Sequence, residues 1–134
     1  MSKKILIVDD EEDERKLVKL MLRGYDCEIG ETADGAQALE LALAMQPDLI
    51  FMDYLLPNKN GYEIIQDMRR NDILRKTPII MLTVRRFDDG FKDWIKLEVK
   101  DFIQKPIVSE ALLASIAKAI GPLPKKAPSG EVTS

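Results

Sequence analysis

The sequence predicts an α/β fold: a doubly wound parallel sheet of five strands, (βα)₅, with helices on both faces. Two observations carry this. Strand and helix signals alternate from residue 4 to about residue 120. Three of the strand signals, Ile5-Leu6-Ile7-Val8, Leu49-Ile50-Phe51-Met52 and Ile79-Ile80-Met81-Leu82, are uninterrupted apolar runs. Such runs, bounded by polar residues, mark strands buried on both faces, and right-handed crossovers between them give a parallel sheet.

The first strand covers residues 4–8. A helix over 12–23 follows, with Leu17, Leu20 and Met21 at helical spacing and Gly24 as terminator. Residues 27–32 are shorter in apolar content and more polar, which suits an edge strand. Asp34-Gly35 precedes an Ala-rich helix over 36–45, whose Leu39 and Leu43 share a face. The third strand is 48–52, residues 57–61 form a loop, the third helix is 62–70 and the fourth strand 78–82. Phe87, Phe91, Trp94 and Ile95 fall at i, i+4, i+7 and i+8, an apolar stripe on a fourth helix. Trp94 is read as core packing rather than partner contact. Gly90 inside that helix costs about 1 kcal/mol relative to Ala and loosens its start. The fifth strand is 101–104. Ser109 is placed to N-cap the last helix, which buries Leu112, Leu113, Ile116 and Ile120. From Gly121 the composition turns to Gly, Pro, Lys and Ser without periodicity. The expected division is therefore a folded domain over 1–120 and a flexible tail or linker over 121–134.

Bulk properties narrow the function classes. The chain has 134 residues, 46% hydrophobic and 32% charged, a balance that suits one globular domain. A net charge of −3 offers no broad field for nucleic acid or an anionic membrane, so neither is an expected partner. No apolar run approaches the ~20 residues needed to span a bilayer, and no signal pattern opens the chain, so the cytoplasm is the expected compartment. The single Cys27 excludes an internal disulfide and reads as a buried, inert thiol. Histidine is absent, which removes His-based triads, His zinc sites and a phosphohistidine within this chain.

The polar residues that end the apolar runs carry the chemistry. Asp9 and Asp10 follow the first strand, Asp53 the third, Thr83 the fourth, and Lys105 lies just beyond Phe102-Ile103. In an open α/β sheet the carboxyl edge of the strands is where ligands bind. Three carboxylates, a hydroxyl and an ammonium gathered there point to a divalent cation and a phosphoryl group. Asp53 is the candidate nucleophile, because a carboxylate can attack phosphorus to form an acyl phosphate. A divalent cation must then offset the anionic neighbours, and Mg²⁺ suits oxygen ligands. Lys105 adds a point charge, and the Thr83 hydroxyl can donate to a phosphoryl oxygen. Asp9 and Asp10 cannot both point the same way, so one is expected to face the metal and the other to act through water or from the side. Glu11 to Glu14 read as an acidic helix N-terminus favoured by the helix dipole.

At these residues the chain resembles the receiver domain of two-component response regulators, the CheY-like superfamily. The matching segments are Val8-Asp9-Asp10-Glu11, Met52-Asp53-Tyr54-Leu55-Leu56-Pro57-Asn58 with Gly61, Met81-Leu82-Thr83, and Asp101-Phe102-Ile103-Gln104-Lys105-Pro106. The resemblance covers residues 3 to about 120. It implies a flavodoxin-like sheet of strand order 2-1-3-4-5. It implies that Asp53 accepts phosphate from a phosphohistidine of a histidine kinase or phosphotransfer protein. It also implies that Asp9, Asp10, Asp53 and the Leu55 carbonyl organise Mg²⁺, with Mn²⁺ as a substitute, and that Lys105 and Thr83 contact the phosphoryl group. Phe102 matches the family's switch aromatic, against the plainer reading of a core aromatic. The Lys105–Pro106 bond is expected to be cis. Phosphate on Asp53 would draw Thr83 inward, Phe102 would fill the space, and the surface of the fourth helix, fifth strand and fifth helix would repack. Such a domain is a switch that supports only its own Mg²⁺-dependent phosphorylation and dephosphorylation. It is not a turnover enzyme.

Three departures from the family pattern matter. Val84 stands where Ala or Gly is usual, beside the phosphoryl pocket, and its branched side chain is expected to hinder attacking water and slow dephosphorylation. Arg85 either hovers over the phosphate or is solvated. Glu98-Val99-Lys100 replaces the small Gly-Ala pair before the fifth strand, which leaves that loop and the output surface open. The competing readings are a receiver-like interaction module that does not cycle phosphate, and a Mg²⁺-dependent phosphatase using Asp53. The phosphatase is disfavoured because Leu55 stands where haloacid-dehalogenase-like enzymes place a second Asp. A flavin-binding role is weaker still, since three converging carboxylates repel a flavin phosphate. The output is a downstream protein partner or a fused effector domain, according to whether the chain is a stand-alone receiver or a fragment. Oligomeric state is not legible.

Overall fold

The structure is a computed structural model and describes residues 2–56, 60–84 and 98–126. In chain order the elements are β1 (Lys3–Val8), α1 (Glu12–Met21), β2 (Cys27–Thr32), α2 (Gly35–Met45), β3 (Leu49–Asp53), α3 (Gly61–Arg69), β4 (Ile79–Thr83), β5 (Asp101–Gln104) and α4 (Ser109–Ile120). All strand pairs are parallel, in the order β2-β1-β3-β4-β5. This is the sheet order implied by the resemblance. The fourth helix expected from residues 87–95, with Trp94, and the Arg85 position lie outside the described residues. The label α4 here belongs to the C-terminal helix.

The two faces of the sheet divide the core by strand periodicity, since successive side chains point to opposite sides. Leu6, Val8, Ile50, Met52, Ile79 and Met81 pack under α2 and α3, against Ala38, Ala42, Ile64, Ile65 and Met68. Ile5, Ile7, Leu49, Phe51, Ile80 and Leu82 pack on the other side against Val18 of α1 and Leu112 and Ile116 of α4. Every residue of β3 and β4 is buried, which is why these strands read as continuous apolar runs. β2 has no fully buried position, as suits its place at the sheet edge.

Local signals differ from expectation in a few places. In α1 the buried residue is Val18, while Leu20 is exposed: two positions from Val18 on a helix lies on the opposite side. The helix ends at Met21 with Leu22 as its C-cap, so Gly24 falls in the turn beyond it. In α2 the small Ala38 and Ala42 lie closest to the sheet, with Leu39 and Leu43 packed beside them. Ser109 is the first helical residue of α4, and the N-cap position is Val108, which offers no side-chain bond. Caps do form on α2, where Asp34 accepts from the Ala36 amide at 2.8 Å, and on α3, where Asn60 and Glu63 make a reciprocal capping box. Cys27 is half-buried, and burial pushes its thiol above the usual range.

Among the described residues, the start of the expected tail and the segment around Glu98 are both tied to the domain. The stretch read as a tail begins with contacts to the domain. Leu123 is buried in the core beside Tyr25 and Cys27, and the Asp26 amide donates to the Pro124 carbonyl at 2.7 Å. The Lys126 amide donates to the Gly24 carbonyl at 3.0 Å. The segment around Glu98-Val99-Lys100 is held by Arg69 at the end of α3. Its guanidinium donates to the carbonyls of Leu74 (3.0 Å), Arg75 (3.2 Å), Thr77 (2.9 Å) and Glu98 (2.7 Å). Val99 is buried in the α2–α3 side of the core. Burial lowers the Arg69 pKa from its ordinary value, and the Glu98 carboxylate opposes that shift. Truncating Arg69 strands several carbonyls at once. We expect Arg69→Ala to cost about 3 kcal/mol in urea unfolding, and a loss below about 0.5 kcal/mol would refute this role.

Candidate functional site

The site arises from strand register. Val8 pairs with Met52, Asp53 with Leu82, and Thr83 with Gln104. Asp9 therefore leaves β1 level with Asp53, Thr83 stands one step beyond Asp53, and Lys105 one step beyond Thr83. Four of the five residues singled out in the sequence are buried at this edge: Asp9 at 0%, Asp53 at 4%, Thr83 at 3% and Lys105 at 9% exposure. Asp10 is exposed, so the two adjacent aspartates do point differently. The close fit of Gly61 helps hold this edge. A Cβ at Gly61 would lie 2.4 Å from the Asp53 carbonyl oxygen and 3.0 Å from the Tyr54 Cα, so no side chain fits where α3 starts.

Lys105 connects the two buried carboxylates. Its Nζ donates to Asp9 Oδ2 at 2.8 Å and to Asp53 Oδ2 at 3.3 Å, and reaches Glu11 Oε1 at 3.5 Å. The remaining oxygens accept backbone amides two residues on: Asp9 Oδ1 from Glu11 at 2.9 Å, Asp53 Oδ1 from Leu55 at 3.2 Å. Burial pushes the Asp53 carboxyl up to about 7, and the Asp9 charge adds to that, against the Lys105 ammonium and the Leu55 amide. Burial alone would lower the Lys105 pKa. The hydrogen bond and charge of Asp9, with those of Asp53, outweigh burial and leave it raised.

Carboxylate oxygens of Asp9, Asp10 and Asp53 all lie within 4.8 Å of one another. This donor set is all-oxygen and carries more negative charge than Lys105 cancels. It fits a hard divalent cation such as Mg²⁺. Leu55, whose carbonyl the resemblance adds to the ligand set, is exposed next to the site. Val84 is 59% exposed immediately after Thr83. Pro106 is exposed and the Lys105–Pro106 bond is cis. Phe102 pairs with Met81 across β4 and β5 and packs, half-buried, on the α2–α3 side of the core.

Two contributors were not legible in the sequence. Glu11 had read as a solvated helix terminus, yet its carboxylate approaches Lys105. Arg15 of α1, 14% exposed, donates from a terminal guanidinium nitrogen to the Asp9 carbonyl at 2.7 Å and from Nε to Glu31 Oε1 at 2.7 Å. Lys19 pairs with the other Glu31 oxygen. An Arg on an amphipathic helix carries no local sign of such partners, because they come from β1 and β2.

The sequence profile of the response regulator receiver domain matches residues 5–117. The phosphate regulon transcriptional regulatory protein PhoB of Pseudomonas aeruginosa is 32% identical over 133 residues, covering 96% of this chain and 57% of PhoB. Protein CcdB of Bacillus subtilis is 34% identical over 119 residues, covering 88% of this chain and 98% of CcdB. The chain thus spans little more than half the length of PhoB and nearly all of CcdB. Among solved structures, the Vibrio cholerae chemotaxis protein CheY4 superposes with a TM-score of 0.82 at 28% identity, over 90% of this chain and 100% of that one. The receiver domain of the sensor histidine kinase PA1611 from Pseudomonas aeruginosa gives 0.80 at 28% identity, over 90% and 99%, and carries a magnesium ion in its active site cleft.

The raised Asp53 pKa has a consequence for stability. The folded state holds this proton more tightly than the unfolded chain, so Asp53 weakens the fold progressively as pH rises from about 4 through about 7. In chelator, Asp53→Asn is expected to melt above the unmodified protein at about pH 8 and to lose that advantage by about pH 4. An advantage independent of pH would contradict the assignment.

Proposed function

The chain belongs to the response regulator receiver family, and from that membership we propose that it is a phosphorylation switch with Asp53 as phosphoacceptor. The observation that carries this reading is the buried Asp53 carboxylate at a strand end, within hydrogen-bonding distance of Lys105 and beside a second buried carboxylate, Asp9. An Asp53 oxygen attacks phosphorus and forms the new O–P bond. The P–N bond of a phosphohistidine breaks, and its electron pair stays on the imidazole. That histidine belongs outside these 134 residues, which contain none. Histidine kinases or phosphotransfer proteins are the donors this implies.

Asp9, Asp10, Asp53 and the Leu55 carbonyl are the residues that would hold Mg²⁺. Bound there, the ion supplies positive charge that keeps Asp53 ionised and offsets the phosphoryl oxygens. Lys105, held by Asp9 and Asp53 before transfer, turns its ammonium to a phosphoryl oxygen once Asp53 is phosphorylated. The Thr83 hydroxyl donates to another. Catalysis of this kind is positioning and preorganised charge, with little acid–base work.

The readout follows from what Thr83 and Phe102 share. Thr83 ends β4 opposite Gln104, and Phe102 lies on neighbouring β5 opposite Met81, two residues before Thr83. Drawing Thr83 inward leaves space that Phe102 fills. Phe102 is next to Asp101, whose carboxylate accepts from Ser115 Oγ of α4 at 2.8 Å. Movement in β5 therefore reaches α4 through a buried hydroxyl, and the β5–α4 surface presented to a partner changes.

Incubation with acetyl phosphate and Mg²⁺ is expected to add one phosphoryl group by intact mass, and Asp53→Asn to abolish it. Failure to gain mass would favour an interaction module that does not cycle phosphate. Beryllofluoride with Mg²⁺ should shift the resonances of Thr83 and Phe102. Val84→Ala is expected to shorten the acyl-phosphate lifetime by admitting water, and an unchanged lifetime would count against a shielding role.

A further inference from the structure

We propose that Arg15 is a positioning residue for the acidic cluster: by gripping the Asp9 carbonyl it sets the Asp9–Asp10 peptide and thereby the cation affinity of the site. The inference rests on the metal-binding reading above and adds a residue to it. The Asp9 side chain is placed by the Glu11 amide and Lys105. Its backbone amide donates to the Thr32 carbonyl of β2 at 3.1 Å. The one remaining backbone group, the carbonyl, accepts from Arg15 at 2.7 Å. That carbonyl belongs to the same planar peptide as the Asp10 amide, so its direction governs where Asp10 departs. Asp10 is the exposed member of the cluster, without burial to hold it in place.

Arg15 is itself held. Its Nε donates to Glu31 Oε1, and Lys19 occupies the other oxygen of that carboxylate. The planar guanidinium thus spans two acceptors in a fixed orientation, which a lysine ammonium cannot reproduce. Glu31 offsets part of the Arg15 charge, because it is shared with Lys19. A bare cation beside three carboxylates would repel a divalent metal, whereas a clamp whose charge is partly offset shapes the ligands at lower cost. The two roles predict opposite signs when the side chain is removed.

The test is calorimetric titration of the full chain with Mg²⁺, for the unmodified protein, Arg15→Ala and Arg15→Lys. The nitrogen chemical shift of the Asp10 amide is measured alongside. A positioning role predicts about tenfold weaker Mg²⁺ binding in Arg15→Ala, a smaller loss in Arg15→Lys, and a displaced Asp10 shift in both. Equal or tighter Mg²⁺ binding by a folded Arg15→Ala overturns the proposal, since it would show charge or mere packing. Should Arg15→Ala fail to fold, Arg15→Lys keeps charge and stem, and unchanged affinity there overturns the proposal. Absence of Mg²⁺ binding by the unmodified protein would instead sink the metal reading, and the Asp10 shift in Arg15→Lys would still show whether Arg15 holds that peptide.

Discussion

Two buried carboxylates facing one ammonium are the constraint on which the rest of the structure depends. Asp9 and Asp53 leave neighbouring strands at the same level, away from water, where like charges repel strongly. Lys105 reaches both and holds the pair together, yet it does not balance them, and Asp53 remains pushed up to about 7. The site is in deficit of positive charge by construction. Such a deficit suits a hard divalent cation, and under the proposed function that cation would make an anionic phosphoryl group acceptable at Asp53.

The scaffold works to hold this unfavourable arrangement still. The wholly buried strands β3 and β4 deliver Asp53 and Thr83 from the centre of the sheet, where apolar packing on both faces supplies the stability a charged edge lacks. Gly61 lets α3 begin against the Asp53 backbone, and the Asn60–Glu63 box fixes that start. Arg15 does on the β1 side what Gly61 does on the β3 side: each sets the backbone beside a carboxylate. Farther out, Arg69 gathers the carbonyls of the loop after α3 and of Glu98, and the segment from Leu123 to Lys126 closes over the start of β2. These ties lie away from the carboxyl ends of the strands, so they hold the sheet without occupying the site.

The legible part of the fold was large because parallel strands covered on both faces must be continuous apolar runs, and their ends must turn polar. That placed Asp9, Asp53, Thr83 and Lys105 at one edge before any contact was known. Caps and helix faces read less well. Ser109 looked like a cap and is a first-turn residue, and Leu20, at helical spacing with Leu17 and Met21, is exposed, because helix phase depends on which residue the neighbouring layer claims. The sequence leaves the Glu98–Lys100 loop open, since the side chain that holds it lies 29 residues earlier.

The sequence by itself therefore determined the sheet, its polar edge and the chemical kinds gathered there, because these follow from hydrophobic periodicity and from which residue ends each run. Only the tertiary structure decided how the kinds divide the work. It buried Asp9 and exposed Asp10, drew Glu11 toward Lys105, and turned an ordinary helix-face Arg15 onto the Asp9 carbonyl. The physical reason is range. Periodicity is a property of neighbours along the chain, whereas desolvation, charge repulsion and hydrogen-bond geometry depend on residues brought together from different strands and helices, and these set the Asp53 pKa and the shape of the site.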